Sequence, residues 1–339
     1  MSENRLIEVR NLKRHFPVLE RGVLKRRQVG IIRACDGISF TILEGETLGL
    51  VGESGCGKTT AARVILGLIP PTAGEVFLRK QNVLEVFSSK DKEAILNLRA
   101  RMQLVFQNPY ASLNPRMTVH DIIMEPFRIH RHVLKEEYSD QALKALEVVG
   151  LEPEHAERYP HEFSGGQRQR ICIARALAVR PEFLILDEPV SSLDVSVRAQ
   201  ILTLLREIQA MMGTTYLYIS HDLASVKFMS DFIAVMYLGK IVELAEQETF
   251  FSSPIHPYSQ ALISAIPRPN PRLEPGRIIL PGEVPSALNP PEGCRFHPRC
   301  IRAKTVCKTK EPQLIDLGNH WVACFRNDEV DISTHPENQ

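Results

Sequence analysis

Short, mostly apolar runs recur along the chain at Thr47–Val51, Met102–Phe106, Phe183–Leu186 and Thr215–Ile219, and each is followed by a polar or glycine-containing turn and then by a stretch of helical spacing. Runs this short and this apolar predict strands covered on both faces, and their alternation with helices predicts an α/β fold around a mostly parallel sheet. Between the second and third runs the apolar positions follow a helical period, as in Tyr138–Val149 and Arg168–Leu177. This segment predicts a helical subdomain, about residues 110–180, inserted into a sheet domain spanning residues 1–250. Past Phe250 the pattern breaks: Pro254, Pro257, Pro267, Pro269, Pro271, Pro275, Pro281, Pro285, Pro290, Pro291 and Pro298 rule out any long helix. A small, loop-rich C-terminal domain is expected over residues 251–339. No internal repeat is present.

Composition narrows this only a little. With 339 residues, 44% hydrophobic and 24% charged, the chain has the make-up of a folded protein with room for two domains. A net charge of +1 gives no overall field for nucleic acid. One local basic stretch, Arg21, Lys25, Arg26, Arg27 and Arg33, reads as a solvated loop. No apolar run approaches the roughly 18–20 residues that cross a bilayer, and the start MSENRLIEVR has no signal-peptide core. Service to a membrane is therefore expected from the cytoplasm, through a partner. Cys35, Cys56 and Cys172 are scattered, whereas Cys294, Cys300, Cys307 and Cys324 crowd the end, which in a reducing compartment suggests metal before disulfides.

The chemistry begins at Gly52-Glu53-Ser54-Gly55-Cys56-Gly57-Lys58-Thr59, which fits G-x-x-x-x-G-K-[ST] between a predicted strand and a predicted helix, Thr60–Leu66. Backbone N–H groups of such a loop, at a helix N-terminus, close around the β-phosphate of a nucleotide. Lys58 adds a point charge toward the β- and γ-phosphates, and the Thr59 hydroxyl can ligate Mg²⁺. Phe183–Leu186 ends in Asp187-Glu188. Asp187 is expected to hold Mg²⁺, directly or through water, and Glu188 to polarise the attacking water as general base.

Phe163-Ser164-Gly165-Gly166-Gln167 closely resembles the signature of the ABC ATPase family, usually LSGGQ, with Phe163 in place of the leucine. Its glycines open a helix whose N–H groups and dipole suit a γ-phosphate. The resemblance implies a P-loop ATPase domain with a RecA-like sheet core and an inserted helical subdomain. It also implies that the signature contacts ATP held by the opposite subunit, so that the working unit is a dimer. By the same resemblance Gln107 is the Q-loop residue that contacts Mg²⁺ or water and couples to the membrane subunit. Ser191-Ser192-Leu193-Asp194 is the D-loop at the dimer interface, and His221 is the switch histidine on the γ-phosphate. Phe16 stands where the family stacks the adenine, with a strand core residue as the alternative. With Thr60 these residues complete the expected ATP and Mg²⁺ site.

Ser253-Pro254-Ile255-His256-Pro257-Tyr258, Gln260 with Leu262, Gly282 to Pro285, Asn289 to Pro291 and Gly293-Cys294 resemble the C-terminal extension of the oligopeptide, dipeptide and nickel importer ATPases. That resemblance implies a subunit that hydrolyses ATP to drive peptide import, peripheral on the cytoplasmic face of the cell's inner (plasma) membrane. It implies a homologous but distinct ATPase partner, two transmembrane permease subunits, an external solute-binding protein and no nucleic acid. Nickel or another small solute is the alternative cargo. A soluble ABC ATPase acting on DNA or ribosomes is the alternative of another class, but it would call for a long coiled coil or a second cassette, and neither appears. The cysteines, spaced C-x5-C-x6-C-x16-C, lack the tight pairs of zinc ribbons. The resemblance implies a [4Fe–4S] cluster on them, structural in role, with Arg295, Arg299, Arg302, Lys304 and Lys308 offsetting its charge; zinc and free thiols stay open. Cys56 and Cys172 read as small buried residues, and a reachable Cys56 would make the ATP site sensitive to thiol reagents.

Overall fold

A computed structural model describes residues 4–21, 26–130, 134–266 and 277–326. The chain opens with a long hairpin, β1 (Arg5–Arg21) and β2 (Arg26–Leu43), then β3 (Thr47–Val51) and α1 (Lys58–Ile65). Next come β4 (Ala73–Leu78), β5 (Gln81–Asn82), α2 (Val83–Ser88), α3 (Lys92–Arg101) and β6 (Met102–Val105). Helices α4 (Pro109–Ser112), α5 (Val119–His130), α6 (Tyr138–Val148) and α7 (Gly165–Leu177) separate β6 from β7 (Phe183–Asp187). The chain continues through α8 (Val195–Met212), β8 (Thr215–Ile219), α9 (Leu223–Met229), β9 (Phe232–Tyr237) and β10 (Lys240–Glu246). It closes with α10 (Gln247–Ser252), α11 (Pro257–Ser264), two 3₁₀ turns (His297–Arg299 and Thr305–Lys308), β11 (Ile315–Asp316) and β12 (His320–Val322).

Among the described residues two sheets form. The larger has the order β11-β12-β10-β9-β3-β8-β7-β6, parallel from β9 through β6, and the smaller is antiparallel with the order β2-β1-β4-β5. The apolar runs are unbroken because the parallel strands are covered on both sides. On β7, Leu184 and Leu186 face one core and Phe183 and Ile185 the other; on β8, Tyr216 and Tyr218 face the first and Leu217 and Ile219 the second. The first core is shared with the inserted helices through Ile122, Ile123, Leu146 and Ile171, and the second lies between the sheets around α1. Each fully buried aliphatic side chain here contributes about 1.5–3 kcal/mol. This double coverage fixes the carboxyl ends of β3, β7 and β8, where the candidate chemistry stands.

Some expectations shift in detail. Helix α7 begins at Gly165 rather than Arg168, because Ser164 and Gln167 form a capping box: the Gln167 N–H donates to Ser164 Oγ (3.3 Å) and the Ser164 N–H to Gln167 Oε1 (3.0 Å). The basic stretch is not a plain loop. It forms the far end of the β1–β2 hairpin, with Arg21 opposite Arg26, and residues 22–25 lie outside the described ones. Past Phe250 the prolines do not abolish helix, since Pro257 occupies the first turn of α11, where its missing N–H costs nothing. Nor does this part of the chain stand apart, because β12 pairs with β10 and extends the main sheet.

The candidate nucleotide site

At the carboxyl end of β3 the chain turns through Gly52–Gly57 and enters α1 at Lys58. Two glycines make that turn possible. Gly57 has φ +114°, and a Cβ there would lie 1.9 Å from the Ala34 carbonyl oxygen; Gly52 has φ +151°, and a Cβ would lie 2.1 Å from that of Met236. No side chain fits either position. The buried Lys58 ammonium folds back over the loop and donates to the carbonyls of Gly52 (2.6 Å) and Glu53 (3.1 Å) and to Cys56 Sγ (3.7 Å). Cys56 is buried, as the sequence suggests, and its burial pushes the thiol pKa up. This disfavours the reactive thiolate and removes the basis for the expected thiol sensitivity.

Asp187 ends β7 directly beneath α1 and accepts from the Thr59 hydroxyl at 3.2 Å. Burial raises its pKa, opposed first by the Thr59 hydrogen bond and more weakly by Arg63 and Lys58. The next residue, Glu188, takes the left-handed conformation at φ +50° while its N–H donates to Ile219 of β8 (2.9 Å). A non-glycine residue held there costs about 1–2 kcal/mol, and the turn aims its carboxylate out of the strand. Glu188 Oε2 accepts from Gln107 Nε2 (2.7 Å) and Oε1 pairs with His221 Nδ1 (3.1 Å).

A cavity of about 690 Å³ is lined by Phe16, Ile32, Ala34, Ser54, Gly55, Gly57, Lys58, Thr59, Thr60, Gln107, Glu188, His221 and Ala287, with Asp187 behind the lining and bonded to Thr59. Phe16 thus sits at the site rather than in a strand core, with the Arg14 guanidinium 4.3 Å from its ring centroid. Ser164, Gly165, Gly166 and Gln167 do not line the cavity of their own chain. Ser164 is exposed at the start of α7.

Sequence reasoning missed the residues that reach the loop from the C-terminal part. The Glu53 carboxylate receives both arms of Arg299, Nη1 at 2.7 Å and Nη2 at 3.1 Å, and the Glu53 N–H donates to the Tyr258 hydroxyl at 2.8 Å. Arg295 pairs with Asp36, which also accepts from His15 Nε2 at 2.9 Å. The resemblance implies Arg295 and Arg299 as counter-charges to the cysteines; in the structure they pair instead with the carboxylates of Asp36 and Glu53. Both residues appear in the sequence beside cysteines, which pointed away from this use.

The sequence matches the ABC transporter family over residues 35–191 and the C-terminal region of oligopeptide/dipeptide transporters over residues 242–307. It is 47% identical over 326 residues to the oligopeptide transport ATP-binding protein AppF of Bacillus subtilis, covering 95% of this chain and 98% of that one. The chain belongs to the ABC transporter ATP-binding family, in its oligopeptide/dipeptide branch. The dipeptide transport ATP-binding protein DppF of Escherichia coli is 47% identical over 324 residues, 96% of this chain and 95% of that one. Among solved structures, the ATP-binding cassette MJ0796, a dimer in a post-hydrolysis state with ADP and Pi, has a TM-score of 0.61 and 28% identity, covering 71% of this chain and 99% of its own. The fold is that of an ABC ATPase cassette, and the protein is an ATPase.

The four late cysteines are free thiols, Cys307 buried and the others half-buried. Burial pushes Cys294 up to about 12, and the charges of Cys307, Cys324 and Cys300 push it the same way, so the four are close enough to act on one another. Arg302 and Arg326 oppose the rise at Cys300. Among the described residues no group of three or more His, Cys, Asp or Glu side chains is arranged to hold a metal ion, so the structure supports neither the zinc alternative nor the expected iron–sulfur cluster. No helix among them is long and apolar enough to cross a membrane.

Proposed function

We propose that this chain binds MgATP in the cavity beside β3 and hydrolyses it to drive import of di- and oligopeptides through transmembrane permease subunits. The observation that carries the reading is the meeting of the phosphate loop, Glu188 and His221 around one cavity, with Asp187 bonded to the loop's Thr59, in a chain that matches peptide-transport ATP-binding proteins over 95–96% of its length. Nothing of comparable strength favours nickel, DNA or ribosomes.

The roles follow from position. When phosphates enter, Lys58 exchanges the Gly52 and Glu53 carbonyls for β- and γ-phosphate oxygens. Thr59 and Asp187 offer two hard oxygen donors within 3.2 Å of each other, a fit to Mg²⁺, whose charge would favour ionised Asp187 against its burial. Glu188 acts as general base on the attacking water. Gln107 and His221 hold that carboxylate from two sides, and His221 turns to the γ-phosphate as charge develops. Phe16 stacks the adenine. The exposed start of α7, with Ser164, Gly165, Gly166 and Gln167, reaches the γ-phosphate of a second ATPase subunit, homologous rather than identical, across a dimer interface that includes Ser191–Asp194. An external solute-binding protein delivers the peptide, and the subunit works on the cytoplasmic face of the plasma membrane.

Cys294, Cys300, Cys307 and Cys324 are proposed to hold a [4Fe–4S] cluster. The support is the donor set itself, four free thiols that are buried or half-buried, of the number and kind such a cluster takes. It would serve as a structural staple for a segment with little regular structure. Iron and sulfide content with the near-visible absorption of anaerobically purified protein tests this; colourless, iron-free protein refutes it.

The transport reading is tested by copurification with mass spectrometry and by ATP-dependent peptide uptake in vesicles carrying the captured complex. Recovery of permease subunits and uptake of short peptides are expected. Capture of ribosomes or DNA alone refutes it.

A further inference from the structure

Glu53, the second residue of the phosphate loop, is held on three sides. Its carbonyl accepts from Lys58, its N–H donates to the Tyr258 hydroxyl, and its carboxylate takes both arms of Arg299. Two of those three partners come from beyond residue 250, outside the span 35–191 that matches the ABC transporter family. The bidentate pair is well shielded, with the Arg299 side chain 9% and that of Glu53 30% exposed, so water screens it less than a surface pair. The arms are rigidly backed. Tyr258, Tyr237 and Phe296 pack ring against ring with centroids 4.8–5.4 Å apart, joining α11 and the loop before Arg299 to the end of β9. Arg295 anchors the same loop through Asp36 and the Leu238 carbonyl.

We propose that the C-terminal extension is a working part of the nucleotide site: Arg299 and Tyr258 are positioning residues that clamp the phosphate loop through Glu53 and thereby set the affinity for ATP. This rests on the reading of the cavity as the ATP site. The Lys58 ammonium and the loop N–H groups grip the phosphates only while the Gly52–Gly57 backbone keeps its curve. Glu53 lies in that curve, with glycines at positions 52, 55 and 57 giving little stiffness of their own. An external clamp supplies it. The grip is made equally in the ground state and the transition state, so loosening it should weaken binding without slowing the chemical step. The loop carrying Arg299 also carries Cys294 and Cys300, so the condition of the cysteine segment and ATP affinity are set by the same piece of chain.

The test uses the assembled transporter with Arg299→Ala, Arg299→Lys, Tyr258→Phe, Glu53→Gln and the double variant Arg299→Ala/Glu53→Gln, measuring KM for ATP, kcat and the melting temperature. Arg299→Ala should raise KM about three- to tenfold with kcat within about twofold, the loss of a charge-assisted pair acting on binding alone. Arg299→Lys should fall between Arg299→Ala and wild type, and the double variant should be no worse than the worse single one, since both act through one contact. If Arg299→Ala fails to assemble, Tyr258→Phe, which removes one hydroxyl, should still raise KM about two- to fivefold. A lowered melting temperature with unchanged KM, or KM effects that add in the double variant, would overturn the clamp. Failure of the wild-type complex to bind or hydrolyse ATP would instead overturn the site assignment beneath it.

Discussion

Replacing Glu188 by glutamine isolates the chemical step, because it leaves nearly everything else in place. The left-handed backbone at φ +50° is fixed by the N–H bond to Ile219 and is as available to glutamine as to glutamate. The amide oxygen can still accept from Gln107, and its NH₂ can donate to His221 Nδ1 in the other imidazole tautomer, so both contacts, 2.7 and 3.1 Å, can be kept. What is lost is the negative charge. General-base assistance contributes about 10²- to 10⁴-fold, so kcat should fall by that factor while ATP affinity is kept or rises. Removing a carboxylate next to Asp187 also eases repulsion on the incoming phosphates. The assay is single-turnover hydrolysis alongside equilibrium binding of a fluorescent ATP analogue. Turnover within about tenfold of wild type would show that another group activates the water, and a matching loss of binding would mean that Glu188 is part of the grip.

Gly57→Ala should abolish nucleotide binding and lower the melting temperature, because the new Cβ meets the Ala34 carbonyl at 1.9 Å in a backbone conformation costing about 1–2 kcal/mol for alanine; normal binding by titration would refute the loop geometry. Ser164→Ala should leave ATP binding by the single chain intact, cost about 1 kcal/mol of helix stability through the lost cap, and depress turnover only in the assembled dimer, where mixed complexes can show which subunit's site is affected. Burial pushes the His256 imidazole down to about 4, against a weaker opposing pull from Glu243. The native chain therefore binds fewer protons than the unfolded one between that value and the ordinary 6.5, and stability falls as pH drops through this window, by an amount on the order of 3 kcal/mol in all. His256→Asn, which keeps a cap for the Tyr258 N–H, should flatten the fall in melting temperature from about pH 7 to about pH 5; an unchanged slope would refute it.

The parts of the fold legible in the sequence are those whose signal is local. Thr47–Val51 and Thr215–Ile219 coincide with β3 and β8 because two-sided burial forces every position to be apolar or compact. The phosphate loop was legible because its glycines answer to backbone clashes a few residues away in space that nothing but glycine relieves. The start of α7 lies before Arg168 because periodicity reports large apolar side chains, whereas the helix begins at the capping box and its first turn carries only glycines and Gln167.

What stayed hidden were pairings between residues distant in sequence, where no spacing carries the information. Glu53 and Arg299 stand 246 positions apart, and Asp36 and Arg295 stand 259 apart. In one dimension the arginines stand beside the cysteines; in three, Arg299 reaches the half-buried Glu53 of the phosphate loop, and Arg295 reaches the buried Asp36, which Arg33 and Lys240 also flank at 3.8 and 4.0 Å. The same distinction separates the two halves of the proposed ATP site. Lys58, Thr59, Asp187, Glu188 and His221 converge because β3, β7 and β8 are adjacent strands of one parallel sheet whose carboxyl ends must lie together. Ser164–Gln167 sit at the start of the inserted helix α7, outside that constraint, and do not line the cavity of their own chain. That leaves them free for the role proposed above, at the nucleotide of a second ATPase subunit.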